Sequence, residues 1–206
     1  MTEPTIDGLL KKAESHALNG DWQSTIDSMK QVLKLDPYHS AANRTIGTLL
    51  LETGDPSGAI PFLRRCLADE PGNEEASAAL ARAFAQSGQL KEAEKTLMGL
   101  LDENPENRTA LNLLAQTLIL QDDRVTEAVQ ILAALVQTDP TDPEALYLMG
   151  KVYQSAGDMD SAGDMFQQIL RHHPGDERAS AALAELRQAP EITAPSNGAE
   201  ARPGIL

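Results

Sequence analysis

Between Ile46 and Pro71 the chain reads IGTLLLETGDPSGAIPFLRRCLADEP. A small residue, Gly47, sits inside an apolar run that Gly54-Asp55 breaks; Ala59 follows twelve residues after Gly47, and Pro71 twelve after Ala59. Such a stretch reads as helix, turn, helix. Glycine suits the left-handed conformation that ends a helix, and a proline pushes the residue before it out of the α region. Working outward, the closing prolines are Pro37, Pro71, Pro105, Pro140 and Pro174, at intervals of 34, 34, 35 and 34. A fixed period of this size is the signature of an array whose core grows by stacking.

The small residue of the first helix is Ala13, Gly47, Ala81, Ala115 and Gly150 in successive copies, answered on the second helix by Thr25, Ala59, Ala93, Ala128 and Ala162. These pairs are twelve apart except Ala115 and Ala128, which are thirteen apart, so the extra residue of the 35-residue copy falls in its turn, Gln121 to Val125. That turn lacks the glycine found at Gly20, Gly54, Gly88 and Gly157, and a lengthened connection is expected there. In the first copy, Ile6, Leu9, Leu10, Ala13 and Ala17 share one helical face with Thr5 as N-cap, and Ile26, Met29, Val32 and Leu33 share the next. Pro61 is expected to bend its helix or shift its start, since it removes an amide donor, and Gly163 is expected on an outer face. Trp22 is expected to pack at the junction to the second copy.

In the spacing of the small residue, the alanine and the closing proline, the chain resembles the tetratricopeptide repeat family over about 170 of its residues. The resemblance implies an all-α fold, a right-handed α-solenoid of stacked helix-turn-helix repeats. Its organisation is a lead over 1–4, five repeats at about 5–39, 40–73, 74–107, 108–142 and 143–175, a capping helix over 176–188 and a disordered tail over 189–206. The capping helix should turn Ala179, Ala182, Leu183 and Leu186 inward, because a terminal repeat otherwise exposes its apolar face. Where the family often has Trp, this chain has Leu9, Asn43, Ser77, Leu111 and Leu146, so thinner packing is expected in the second and third copies.

Seventeen Lys and Arg against 31 Asp and Glu give a net charge of −14, which works against binding nucleic acid or an anionic membrane surface. Cys66, a single cysteine, excludes an internal disulfide and fits a reducing compartment. No secretory layout opens the chain and no long apolar run interrupts it, so no membrane insertion and a cytoplasmic location are expected. Cys66 falls on the buried stripe with Leu63 and Leu67 and reads as a packed thiol.

Catalytic motifs are lacking: there is no phosphate-binding loop, dinucleotide fingerprint, nucleophile elbow, HExxH or CxxC. Residues Asp158 to Ile169 fail as a calcium loop, because Ala162 and Ile169 stand where oxygen ligands belong, and the pair His172-His173 reads as cations at a helix C-terminus. No enzyme activity, cofactor or metal is expected. What remains is a surface. The resemblance implies a concave groove lined by the first helices, with a peptide or protein segment as ligand. Positions i, i+3 and i+7 of those helices place Arg44, Thr48, Arg82, Asn112, Gln116, Tyr147 and Lys151 there as the candidate peptide-binding residues. The family's clamp for C-terminal carboxylates is not reproduced, since Leu10, Glu14 and Ala79 replace its Lys, Asn and Arg. The implied function is an adaptor, scaffold or chaperone-like interaction module. Alternatives are a regulatory or substrate-recruiting subunit of an enzyme complex and a self-assembling homo-oligomeric scaffold.

Overall fold

The computed structural model describes residues 5–188. The expected lead over 1–4 and tail over 189–206, including its apolar end Gly204-Ile205-Leu206, lie outside the described residues. All regular elements among the described residues are helical: α1 (Ile6–Leu18), α2 (Trp22–Leu35), α3 (Ser40–Glu52), α4 (Pro56–Asp69), α5 (Glu74–Gln86), α6 (Leu90–Glu103), α7 (Arg108–Ile119), α8 (Val125–Thr138), α9 (Pro143–Ser155), α10 (Met159–His172) and α11 (Glu177–Gln188). Helices pack in chain order, each on the next, and the first helices α3, α5, α7 and α9 also touch one another in sequence. No core residue is far from its neighbours in the chain, as a stacked array requires.

Turn chemistry accounts for the sharp returns. Gly20, Gly54, Gly88 and Gly157 all carry φ between 71° and 83°, the region closed to most side chains. After three of these glycines the next residue is a capping aspartate: Asp21 accepts from the Ser24 amide, Asp55 from Gly58 and Asp158 from Ser161. The loops between copies end in caps too, where Asn73, Asn107, Asp142 and Asp176 accept from Ala76, Ala110, Ala145 and Ala179. In the 35-residue copy the connection is a turn of 3-10 helix over Asp122–Arg124. Arg124 braces it, donating to both carboxylate oxygens of Glu94 at 2.8 Å and to Glu127 at 2.6 Å and 2.9 Å.

Core packing follows the small residues. A Cβ on Gly47 would lie 2.6 Å from Leu63 Cγ, and one on Gly150 would lie 2.5 Å from Phe166 Cε1. Leu63 and Phe166 are both fully buried, so neither has room to retreat. Gly47→Ala is therefore expected to lower stability by about 1–3 kcal/mol through overpacking. Gly99→Ala is the control: it sits in the exposed interior of α6 with nothing within 4 Å, and should stabilise by about 0.5–1 kcal/mol. Urea unfolding of both proteins checks the pair, and equal midpoints would refute the close-approach account.

Four expectations need adjustment or gain detail. Trp22 is 45% exposed. It is the first residue of α2, in which Thr25, Ile26, Ser28, Met29 and Val32 carry the burial. Pro61 neither shifts the helix start nor breaks α4, which runs from Pro56 to Asp69 with Pro61 on its exposed side. Gly163 does not face outward: a Cβ built on it would lie 3.9 Å from Leu186 Cδ1 and 4.0 Å from Leu183 Cδ2, so it faces α11 with room for an alanine. The thinner packing shows at Ser77, beside a cavity of ≈ 190 Å³ that Thr96, Gly99 and Leu100 also line.

Asn43, in the second copy, is fully buried and ties α3 to the preceding loop by donating to Pro37 O at 3.0 Å and His39 O at 3.2 Å. Cys66 is buried against Ser40 Oγ at 3.2 Å, and burial pushes its thiol up. From the second copy onward, each junction between copies is crossed by side chains: Arg44 to Glu75, Asn107 to Glu74, Arg124 to Glu94, Arg108 to Asp139 and Asp142, and Arg178 to Glu144.

Several of these carboxylates hold depressed pKa values. Hydrogen bonds from Ser24 and Ser161 lower Asp21 and Asp158, and the Ala179 amide lowers Asp176. At Asp142 burial pushes the carboxyl up, but Arg108 and the amides of Ala145 and Glu144 outweigh it and leave it lowered. A depressed folded value means stabilisation that is complete above the ordinary carboxylate value, about 4, and is lost as pH falls through the folded value. The thermal midpoint should be flat between about pH 7 and 5 and fall steadily below about pH 4. Calorimetry across that range checks it, and a midpoint unchanged at low pH would contradict the cap assignment.

Candidate functional site

The first helices α3, α5 and α7 stand side by side, and their shared face opens a cavity of ≈ 510 Å³ lined by Thr48, Glu74, Glu75, Ala78, Ala79, Arg82, Asn107, Thr109 and Leu113. The cavity exists because the residues at its floor are small: Ala78 and Ala79 on α5 leave the space that larger side chains would fill. Its walls are polar. Thr48 spends its hydroxyl on its own helix, donating to Arg44 O and Thr45 O at 3.1 Å. Asn107 Nδ2 donates to Glu74 Oε2 at 2.7 Å, closing one edge.

The expected residues divide into three groups. Thr48 and Arg82 meet in this cavity, and Arg44 reaches its rim through an ion pair with Glu75. Arg82 is exposed and has no carboxylate within ion-pair distance among the described residues. Gln116 on α7 and Lys151 on α9 continue the same helical position along the array, with Gln116 exposed and Lys151 Nζ donating to Gln154 Oε1 at 2.7 Å. Tyr147 is half-buried, its ring centroid 5.6 Å from that of Phe166 and 5.0 Å from the Arg178 guanidinium carbon.

Asn112 is the correction. It is only 8% exposed, and its amide donates to Asp142 Oδ2 at 3.4 Å, so it joins α7 to the start of α9 and does not open into the groove. Helical position does not give depth, and Asp142, brought over by the loop before α9, covers Asn112. Glu74, Asn107 and Leu113 were missed as cavity residues. Glu74 and Asn107 lie at helix starts outside the i, i+3, i+7 set, where their acidic and amide side chains read as caps.

A second concavity of ≈ 550 Å³ lies away from that row, between α7 and α8, lined by Pro105, Leu111, Ile131, Ala134 and Leu135 among others. Leu111, one of the leucines standing where a large aromatic is usual, lines it.

The family profile described as tetratricopeptide repeat matches residues 50–117 and 120–186. Among curated proteins, the PEX5-related protein of Homo sapiens is 26% identical over 180 residues, covering 82% of this chain and 29% of that protein. Cellulose synthase operon protein C of Xanthomonas axonopodis pv. citri (strain 306) is 30% identical over 192 residues, covering 87% of this chain and 12% of that protein. The chain thus spans less than a third of the length of either relative. Among solved structures, TTC0263 of Thermus thermophilus, a thermophilic TPR protein, superposes with a TM-score of 0.72 at 18% identity, covering 89% of this chain and 99% of that one. YrrB superposes with a TM-score of 0.62 at 18% identity, covering 86% and 91%.

Proposed function

The chain belongs to the tetratricopeptide repeat family, and from that premise we propose that it is a non-enzymatic interaction module that holds a segment of a partner protein along its first-helix face. The observation that carries this reading is the cavity across α3, α5 and α7, open to solvent, floored by alanines and edged by polar side chains, with Arg82 in its lining and without a carboxylate partner among the described residues. In this reading Arg44, Thr48, Arg82, Gln116, Tyr147 and Lys151 contact the segment, and Asn112 supports the groove from beneath. YrrB, a TPR protein with an unusual peptide-binding site, supports a peptide as ligand for this architecture. A cytoplasmic setting belongs to the proposal and is supported by the buried, reduced Cys66; no helix among the described residues is long and apolar enough to cross a membrane.

The test fills the cavity. Partners retained by the immobilised full chain are identified by mass spectrometry and compared with those retained by Thr109→Trp. Thr109 is an exposed cavity residue, so the tryptophan should block the groove without unfolding α7. Loss of a specific partner with an unchanged melting curve supports the groove; retention of every partner removes it. A second reading, a recruiting or regulatory subunit of an enzyme complex, is supported by the relative named for a cellulose synthase operon. It predicts a stably co-purifying enzyme whose turnover changes when the chain is removed.

A further inference from the structure

The chain carries a net charge of −14, yet along the first-helix face from α5 to α9 two cations, Arg82 and Lys151, stand without a carboxylate partner among the described residues, against one carboxylate, Glu74, without a cation. Its carboxylates are mostly spoken for. Glu75 is held by Arg44 and Glu144 by Arg178, while Glu74 accepts only from Asn107. Glu74 stands in the first turn of α5, eight residues before Arg82 and so about 12 Å away along the helix. Arg82 and Lys151 have no carboxylate partner among the described residues; Lys151 meets only the neutral Gln154. On their helices Arg82, Gln116 and Lys151 occupy one register position, each directly after the small residue Ala81, Ala115 or Gly150. They form a row across three touching helices: cation, amide, cation. In the other direction the row passes Thr48 and ends at Glu14, where the sign reverses.

We propose that this row binds an extended acidic segment of a partner polypeptide, with one carboxylate at Arg82, another at Lys151, and the Gln116 amide on the backbone between them. The inference rests on the groove reading above and names the chemistry of its ligand. Helices packed at about 10 Å place the two cations on the order of 20 Å apart, which an extended chain spans in about six residues. The arginine takes a carboxylate side-on through two N–H groups, whereas the lysine acts as a point charge. Glu14, with Asp7 on the same helix, repels an acidic chain that strays toward α1, so the segment is confined to the copies from α5 onward. Acidic side chains within the segment are the recognised feature, and no free C-terminus is required.

Fluorescence anisotropy with the full chain tests this. The probes are three labelled peptides, acetylated and amidated at their ends, with a Ser/Thr background: two Glu about six residues apart, two Glu adjacent to one another, and the first peptide with Gln for Glu. The spaced Glu peptide should bind about fivefold or more tighter than either of the others, and Arg82→Glu and Lys151→Glu should each weaken it about fivefold or more. Arg82 is exposed and Lys151 half-buried, and circular dichroism checks that each variant keeps its fold. No measurable binding of the spaced Glu peptide, equal binding of the Gln peptide, or indifference to both charge reversals overturns the proposal. If the Gln peptide binds as well while Thr109→Trp still displaces the protein partner, the groove stands and the acidic ligand falls. If Thr109→Trp displaces nothing, the groove reading itself fails.

Discussion

Phe166→Ala is expected to remove about 3–5 kcal/mol of stability, and to remove it from one end of the molecule. Phe166 is fully buried, its ring set against the bare backbone of Gly150 and packed among Leu146, Ala162, Ile169, Ala179, Ala182 and Leu183. Every one of these lies in the fifth copy or the capping helix. In an array stabilised by copy-to-neighbour contacts, the loss stays where the contacts were. Amide exchange should therefore quicken in α9, α10 and α11 while α1 to α4 keep their protection. Leucine stands at the corresponding place in the three preceding copies, at Leu63, Leu97 and Leu132, so Phe166→Leu should cost only about 1 kcal/mol. Uniform loss of protection along the chain, or an alanine cost no larger than the leucine cost, would sink this account.

Asp142→Ala is expected to cost about 2–4 kcal/mol, because one carboxylate serves three tasks. Its Oδ1 caps α9 by accepting from the Glu144 and Ala145 amides at 2.9 Å and 3.1 Å. Its Oδ2 accepts from Arg108 Nη2 at 2.6 Å and from the buried Asn112 at 3.4 Å. Alanine abandons the cap, strands the Asn112 amide and frees Arg108, uncoupling the fourth copy from the fifth. Asparagine keeps an acceptor for the cap but lacks the charge, and should fall between the two. Because Arg108 and Asp142 touch, Arg108→Met combined with Asp142→Ala should cost less than the sum of the single changes. Urea unfolding of the four proteins measures the coupling, and strict additivity would show that the ion pair contributes nothing.

Much of this architecture could be read directly from spacing. Intervals of 34 or 35 residues between prolines, a small residue facing an alanine in four of the five copies, and three glycines ahead of capping aspartates leave little freedom once helices are granted. The long turn at Gln121 to Val125 was legible as an extra residue, and its 3-10 form is what an extra residue without glycine produces. Depth was not legible. Helical spacing says which way a side chain leaves its own helix, but Asn112 is covered by a residue thirty positions later, and Trp22 is left 45% exposed at the first position of α2. Gly163 shows the same gap in reverse: expected on an outer face, it faces Leu183 and Leu186 of α11. In the candidate site Thr48 and Arg82 line one cavity. The alanine floor and the Glu74 to Asn107 edge emerge only when three copies stand together.

The bridges between copies also give the molecule a direction. Arg44, Asn107, Arg124, Arg108 and Arg178 stitch every junction after the first, whereas the first copy is joined to the second by no side-chain ion pair among the described residues, the Asn43 amide on Pro37 O and His39 O linking them instead. Under tension applied to its two ends, the array behaves as a seam with one unlocked stitch: α1 and α2 peel away first, at the lowest force, and the remaining copies yield afterwards as a tougher block. A force trace would show one small early step ahead of the larger ones. The face proposed to hold a partner, from α5 to α9, lies wholly inside the part that stays closed.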